Sequence, residues 1–153
     1  MTSPHDRLAE LGLTLPEAAA PVASYVPAVE ANGLLHISGQ ISQANGQLIK
    51  GRLGEDVTLE EGIRAARASG IMLLAQIDKA VGLERVERIV KLGVFVNSTG
   101  DFVDQPKVAN GASELMQDVF GEAGRHARSA VGVPTLPLGV AVEIDAVVAV
   151  RPA

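Results

Sequence analysis

Two stretches of this chain carry apolar residues at helical spacing, and β-rich segments lie before, between and after them. Ile63, Ala66, Gly70, Leu73, Leu74, Ile77 and Val81 recur with the period of one helix face. Thr58 and Glu61 precede that run at capping-box spacing, so Thr58 can cap the helix and Glu61 can reach back to it. Gly82 is predicted to end it. Glu60, Arg64, Arg67 and Lys79 occupy the opposite face, so the helix is amphipathic and covers something flat. The second run is Val108, Ala112, Leu115 and Val119, with Met116 and Phe120 beside it. Asp104 is its predicted N-cap, Pro106 lies in its first turn, and Gly121 and Gly124 stop it. Gly111 weakens this helix by about 1 kcal/mol relative to Ala.

The β-rich segments complete the order. Val22–Val29 and Leu34–Gln40 read as strands joined at Ala31-Asn32-Gly33, because Asn-Gly is the strongest short hairpin signal. Asn45-Gly46 turns the chain again before Gln47–Lys50. Arg88–Val96 lies between the helices, with Val90, Leu92, Val94 and Val96 expected on one buried face. Arg128–Val133 and Val140–Val150 are the last strands, joined by residues 134–139. This order predicts a two-layer α/β (α+β) domain with two helices on one face of a mixed sheet. The 153 residues fit one domain, and a domain of this size buries about 68–70% of its unfolded surface. Residues 1–20 read as an N-terminal extension holding a short helix, about Asp6–Leu11, and a loop through Pro16.

The second face of the predicted sheet finds no cover within the chain. Hydrophobic residues make up 47% and aromatics 3%, so the apolar content is almost entirely aliphatic. Mean hydropathy is +0.24. Together these favour association with further copies of the chain, the simpler alternative being a tight Ala/Val core in a monomer.

Several classes are excluded or disfavoured. With no cysteine, disulfides, thiolate nucleophiles and Cys-based zinc sites are absent. A formal charge of -5 with no basic cluster argues against nucleic acid and anionic membranes as partners. Charges interrupt the first 13 residues, so they do not resemble a secretory signal, and no run of about 18 apolar residues suggests a membrane span. A cytoplasmic location is the expectation. No HxH, HExxH, GxGxxG or GxxxxGK pattern occurs, so neither a metal nor a nucleotide cofactor is expected. Ser38-Gly39 lacks the GxSxG context of a nucleophile elbow.

The last two strands hold the candidate chemistry. A symmetric loop at 134–139 would place Arg128 opposite Asp145 and Ala130 opposite Glu143. Arg128 and Glu143 would then be diagonal neighbours on one face, about 7–8 Å apart at Cα. Ala130 and Gly132 would leave room around the guanidinium. An Arg in such a pocket can grip a carboxylate through two parallel hydrogen bonds, and a nearby Glu can position or deprotonate water. A plain cross-strand ion pair, worth roughly 0–1 kcal/mol when exposed, is the competing reading.

A family resemblance bears on that choice. Ala127-Arg128-Ser129-Ala130-Val131-Gly132-Val133, followed by Val142-Glu143-Ile144, resembles the C-terminal signature of the Rid (YjgF-like) family of reactive intermediate deaminases. Tyr25-Val26-Pro27-Ala28-Val29, Leu35-His36-Ile37-Ser38-Gly39-Gln40-Ile41, and Val94-Phe95-Val96 with Asp101-Phe102 are similar to its upstream part. The resemblance runs from about Val22 to Val150. It implies a chorismate-mutase-like homotrimer with small-carboxylate clefts between subunits and no cofactor. The implied reaction is hydrolysis of reactive 2-imino acids to 2-keto acids and ammonia. A non-catalytic small-carboxylate-binding trimer, a metabolite sensor, is the alternative. Carried over, Arg128 is the carboxylate clamp and Glu143 positions water. Tyr25 closes the cleft and Gly39 lends backbone near the ligand. A second-helix residue also belongs in the cleft, with Asn110 and Ser113 both candidates because Asp104–Pro106 reads as an insertion. His126 stands where typical members have Pro or Ala, and the longer N-terminus and shorter helix-to-strand loop add to a divergent pattern. By alternation His126 shares a face with Arg128, either as an acid–base group or as a loop histidine without a role.

Overall fold

The chain is described by a computed structural model covering residues 2–21 and 23–153. At Asn32-Gly33 both residues take left-handed backbone, φ 54° and 78°, which folds strands β1 (Ala28–Ala31) and β2 (Leu34–Ile41) into a tight antiparallel hairpin. The first strand begins later than expected, at Ala28, and Val22 lies outside the described residues. Asn45-Gly46 repeats the same conformation between β3 (Gln43–Ala44) and β4 (Gln47–Leu48).

Helix α2 (Leu59–Ala80) begins at the expected box. The Thr58 N–H donates to Glu61 Oε1 and the Glu61 N–H to Thr58 Oγ1, both at 3.1 Å. Gly82, at φ 85°, takes the chain out of it. Strand β5 (Val86–Asn97) leads to α3 (Gln105–Phe120). Asp104 occupies the N-cap position, but its carboxylate caps no N–H and pairs instead with Lys107 at 3.6 Å. Strands β6 (Ala127–Val133) and β7 (Val142–Val150) follow.

The five-stranded sheet has the order β1-β2-β7-β5-β6, with β5 and β6 parallel and the other pairs antiparallel. Helices α2 and α3 pack side by side on one face, giving the two-layer mixed α+β arrangement. The expected β6–β7 hairpin is corrected here. Both edges of β7 are hydrogen-bonded already, to β2 and β5, so β6 lies outside β5. Residues 134–141 therefore bridge two strand spacings, about 10 Å, rather than closing a turn.

A second correction concerns β5. The ladder slips between Ile89 and Lys91, so Ile89 is buried and Val90 is turned outward. Leu92, Val94 and Val96 keep the expected buried face.

Helix α1 (Pro4–Glu10) lies in the N-terminal extension and is capped by Ser3. Its Leu8 is 4% exposed and joins the main core. Gly111 explains why α3 tolerates a poor helix former. A Cβ there would collide with the backbone of α2, with Ile63 C at 3.0 Å and Arg67 N at 3.2 Å.

Candidate functional site

Arg128 occupies a row with Leu92 and Ala146, both buried under the helices, so its side chain points to the helix side of the sheet edge. There α3 holds it. Nη1 donates to Asn110 Oδ1 at 2.8 Å and to Ser113 Oγ at 3.0 Å, and Nη2 donates to the Pro106 carbonyl at 3.2 Å. A guanidinium has five N–H donors. Three are engaged, leaving the Nε–H and one Nη2–H without a partner among the described residues. Neighbouring donors of that kind suit a carboxylate. Both candidates on the second helix thus touch Arg128, and the Asp104–Pro106 segment supplies a third contact.

His126 lies beside them. Its Nδ1 is 2.6 Å from the Gly124 carbonyl and its Nε2 2.8 Å from Ser113 Oγ. It therefore shares the Arg128 side, as alternation predicts. Burial holds the imidazole below its ordinary pKa, with the Gly124 carbonyl opposing and the Arg128 guanidinium reinforcing that effect. Asn110, Ser113, Gln117, Arg125, His126 and Arg128 line a shallow pocket of about 210 Å³.

Glu143 is elsewhere. It pairs with Phe95 in the register, one residue out of phase with the Arg128 row, and projects from the face of the sheet away from the helices. The expected diagonal Arg128–Glu143 pair is thereby corrected: within one chain the two residues are on opposite faces, two strands apart. The displaced β6 accounts for this. The ion pair that competed with the clamp is absent with it, and Arg128 forms no salt bridge among the described residues.

Glu143 shares a second pocket, about 510 Å³, with Tyr25, Pro27, Ser38, Gly39, Ile41, Pro137 and Leu138. The carboxylate lies against Gly39, where β2 slips register between Ile37 and Gln40. Burial raises the Glu143 pKa, and the Asp145 carboxylate two residues on raises it further. Three of the expected residues, Tyr25, Gly39 and Glu143, are thus together, while Arg128 is apart from them. Leu138 was not foreseen. Exposed, with left-handed backbone at φ 59°, it sits at the pocket rim. The two prolines around it signal a shaped loop, but nothing local marks Leu138 itself.

His5 acquires partners that its sequence context does not suggest. Its two ring nitrogens meet Glu84 and Asp78, fastening α1 to the end of α2. The three ligand atoms lie within 4.8 Å of one another. The ring nitrogens face different carboxylates, so His5 joins the two acidic side chains in one clamp.

Residues 5–147 match the family described as "YjgF/chorismate_mutase-like, putative endoribonuclease". The chain is 51% identical over 144 residues to Protein TCP17 of Trypanosoma cruzi, covering 92% of this chain and 90% of the relative. It is 28% identical to a 2-iminobutanoate/2-iminopropanoate deaminase of Dermatophagoides farinae, covering 91% and 95%. Among solved structures, Agrobacterium tumefaciens Atu1372 superposes with TM-score 0.90 at 43% identity, covering 97% of this chain and 92% of that one. E. coli TdcF with bound serine superposes with TM-score 0.62 at 28% identity, covering 89% and 94%. The mixed sheet with its helices on one face is the α+β fold of YjgF/chorismate-mutase-like structures. The chain belongs to the YjgF, or Rid, family.

Proposed function

We propose that this protein binds small 2-keto and 2-imino carboxylates at Arg128 and hydrolyses the imino acids to keto acids and ammonia. The observation that carries this reading is the anchoring of Arg128: three donors fixed by Asn110, Ser113 and Pro106, two left for a ligand. Fixing the guanidinium before binding lowers the entropy cost of gripping a carboxylate. The names of the mite deaminase and of serine-bound TdcF support the ligand class.

The active unit is a homotrimer in this reading. The face of the sheet away from the helices presents Val29 (51% exposed) and Val131 (47% exposed). Among the described residues no helix covers that face. Packing subunits there places the Tyr25–Gly39–Glu143 half of one against the Arg128 half of its neighbour, which reconciles their separation within a chain. Light scattering at micromolar concentration should give three times 15.9 kDa; a monomer mass would overturn the divided site.

In the assembled cleft, Arg128 holds the carboxylate and Tyr25 closes over the ligand. Glu143, with its raised proton affinity, takes a proton from water as the oxygen adds to the imine carbon. The C=N π pair moves to nitrogen, which receives the proton. In the collapse Glu143 takes the carbinolamine hydroxyl proton and delivers it to the amine nitrogen, so that the C=O bond forms as C–N breaks and ammonia leaves. The test is an amino-acid oxidase generating the imine with semicarbazide competing for it. The protein should divert imine to keto acid. Keto-acid binding through Arg128 without such diversion would replace the enzyme by the non-catalytic sensor. RNA cleavage is disfavoured by the charge of -5 with no basic stripe.

A further inference from the structure

We propose that His126 is a proton-linked switch on the Arg128 clamp, acting through the hydroxyl of Ser113 so that anion affinity rises when His126 is protonated. The inference rests on the reading of Arg128 as a carboxylate site. It starts from hydrogen-bond direction. The Gly124 carbonyl can only accept, so Nδ1 carries a proton and donates to it at 2.6 Å. In the neutral ring Nε2 is then an acceptor, and its partner at 2.8 Å, the Ser113 hydroxyl, must donate to it. The same Ser113 oxygen accepts from Arg128 Nη1 at 3.0 Å. Neutral His126 thus consumes the only proton Ser113 has to offer and leaves Ser113 an acceptor towards Arg128.

Protonation reverses one bond. Nε2 becomes a donor, Ser113 Oγ accepts from both His126 and Arg128, and the serine O–H is freed. A carboxylate on Arg128 is the acceptor that fits it. The ligand's negative charge also offsets the repulsion between imidazolium and guanidinium. Bond count and charge therefore act in the same direction.

Among the described residues, no other titratable side chain of this chain bridges to Arg128 in the same way. Helix α3 presents the uncharged Asn110, Ser113 and Gln117 to the pocket, and the turn Gly121–Gly124 presents the Gly124 carbonyl. Arg128 and Arg125 are the charged residues lining it. From β5, Arg88 donates to the Arg125 carbonyl. In the assembled cleft of the proposed trimer, Glu143 and Tyr25 of the neighbouring subunit are the further titratable groups near the ligand. Burial and Arg128 depress the His126 pKa in the free protein, so the neutral form is the resting one near neutral pH.

The experiment is NMR of the His126 ring together with calorimetry of 2-oxobutanoate binding to the full chain, from about pH 5 to pH 8. The keto acid stays ionised over that range. On binding, the His126 pKa should rise by roughly one unit while His5 and His36 stay put; by linkage the Kd falls about tenfold from high to low pH. His126→Gln still offers an acceptor to Ser113 but takes up no proton, and its ratio of Kd values should fall to about one. Ser113→Ala should reduce the ratio in wild type and leave it unchanged in the His126→Gln background. A ratio near one in wild type, or an undiminished ratio in His126→Gln, overturns the switch and leaves the clamp standing. If no 2-keto acid binds, the reading of the clamp fails, and the switch is judged without ligand. Arg128→Gln should then raise the His126 pKa, and an unmoved titration overturns the coupling itself.

Discussion

The Glu143 carboxylate lies across Gly39, close enough that a Cβ at position 39 would sit 2.9 Å from Glu143 Cδ and 3.0 Å from its Cγ. Glycine is required by that approach rather than by its backbone angles, since no positive φ is recorded there. Gly39→Ala should push the carboxylate out of place while leaving the sheet intact. Imine hydrolysis should fall at least about tenfold, of order 1.4 kcal/mol in the barrier, with little change in Tm. Unaltered turnover would show that the Glu143 position is irrelevant to the chemistry.

Gly111 makes the opposite point about a helix. Alanine is the better helix former by about 1 kcal/mol, so on propensity alone Gly111→Ala should stabilise. Its Cβ, however, would press on the backbone of α2 at Ile63 and Arg67, which cannot move aside like a side-chain end. Overpacking of this kind costs about 1–3 kcal/mol. We expect a net loss of stability in denaturant titrations, and a gain would mean that the helices separate freely.

Among the described residues of the N-terminal extension, Leu8 is buried in the core, and Leu13 and Leu15 pack against it partly buried. Leu8→Ala should cost about 2–3 kcal/mol, since the side chain is nearly fully buried. His5→Ala removes a clamp whose partners are partly exposed, so it should cost less than about 1 kcal/mol. Equal effects of the two would contradict this division of roles.

What could be read from the sequence was mostly local. The Thr58–Glu61 box, the left-handed Asn-Gly pairs and the α2 and α3 stripes depend on residues a few positions apart, and the structure has them where expected. The neighbour of β6 does not depend on local pattern. A connection of six residues, as the sequence suggests, or of eight, as the structure has it, fits either a hairpin or a bridge across one strand, and the pairing of β7 with β2 and β5 decided it. The Val90 error has a similar origin, because alternation holds only until a ladder slips. Within the site, Arg128, Glu143, Tyr25 and Gly39 were marked by family resemblance. The Pro106 carbonyl and the Ser113–His126 link depend on how α3 is rotated above the sheet, which spacing does not reveal.

Glu143 and Asp145 predict a pH dependence of stability. Burial raises both pKa values. The Asp145 charge adds to the effect at Glu143, and the Gly93 backbone and Lys91 partly oppose it at Asp145. A carboxyl with a raised folded pKa binds its proton more tightly in the native state. Its stabilising contribution is therefore complete below the ordinary carboxylate range and is lost as pH rises through the folded value. Asp145→Asn should consequently raise Tm relative to wild type at about pH 7 and not at about pH 3. A Tm difference constant across that range would contradict the desolvation account.

Arg128→Lys separates an anchored fork from a bare positive charge. Asn110, Ser113 and Pro106 accept three hydrogen bonds in directions matched to a planar guanidinium, and two further donors remain for the ligand. Lysine keeps the charge but offers a compact ammonium on a flexible stem. It cannot satisfy three partners on α3 and still present two parallel donors. Losing one charge-assisted bond of the pair costs about 1.5–3 kcal/mol, or roughly 10- to 150-fold in Kd for a 2-keto acid. Calorimetry should show that loss with the far-UV spectrum and solution mass unchanged. Glu143→Gln is the companion. It should leave keto-acid affinity close to wild type, because the clamp is intact, and slow imine hydrolysis, because no carboxylate remains to take the proton from water. If Lys at position 128 binds keto acids as tightly as Arg, the fork geometry has no part in recognition. Arg128 would then be a strut joining β6 to α3, and the ligand site would have to lie on the Tyr25–Glu143 side alone.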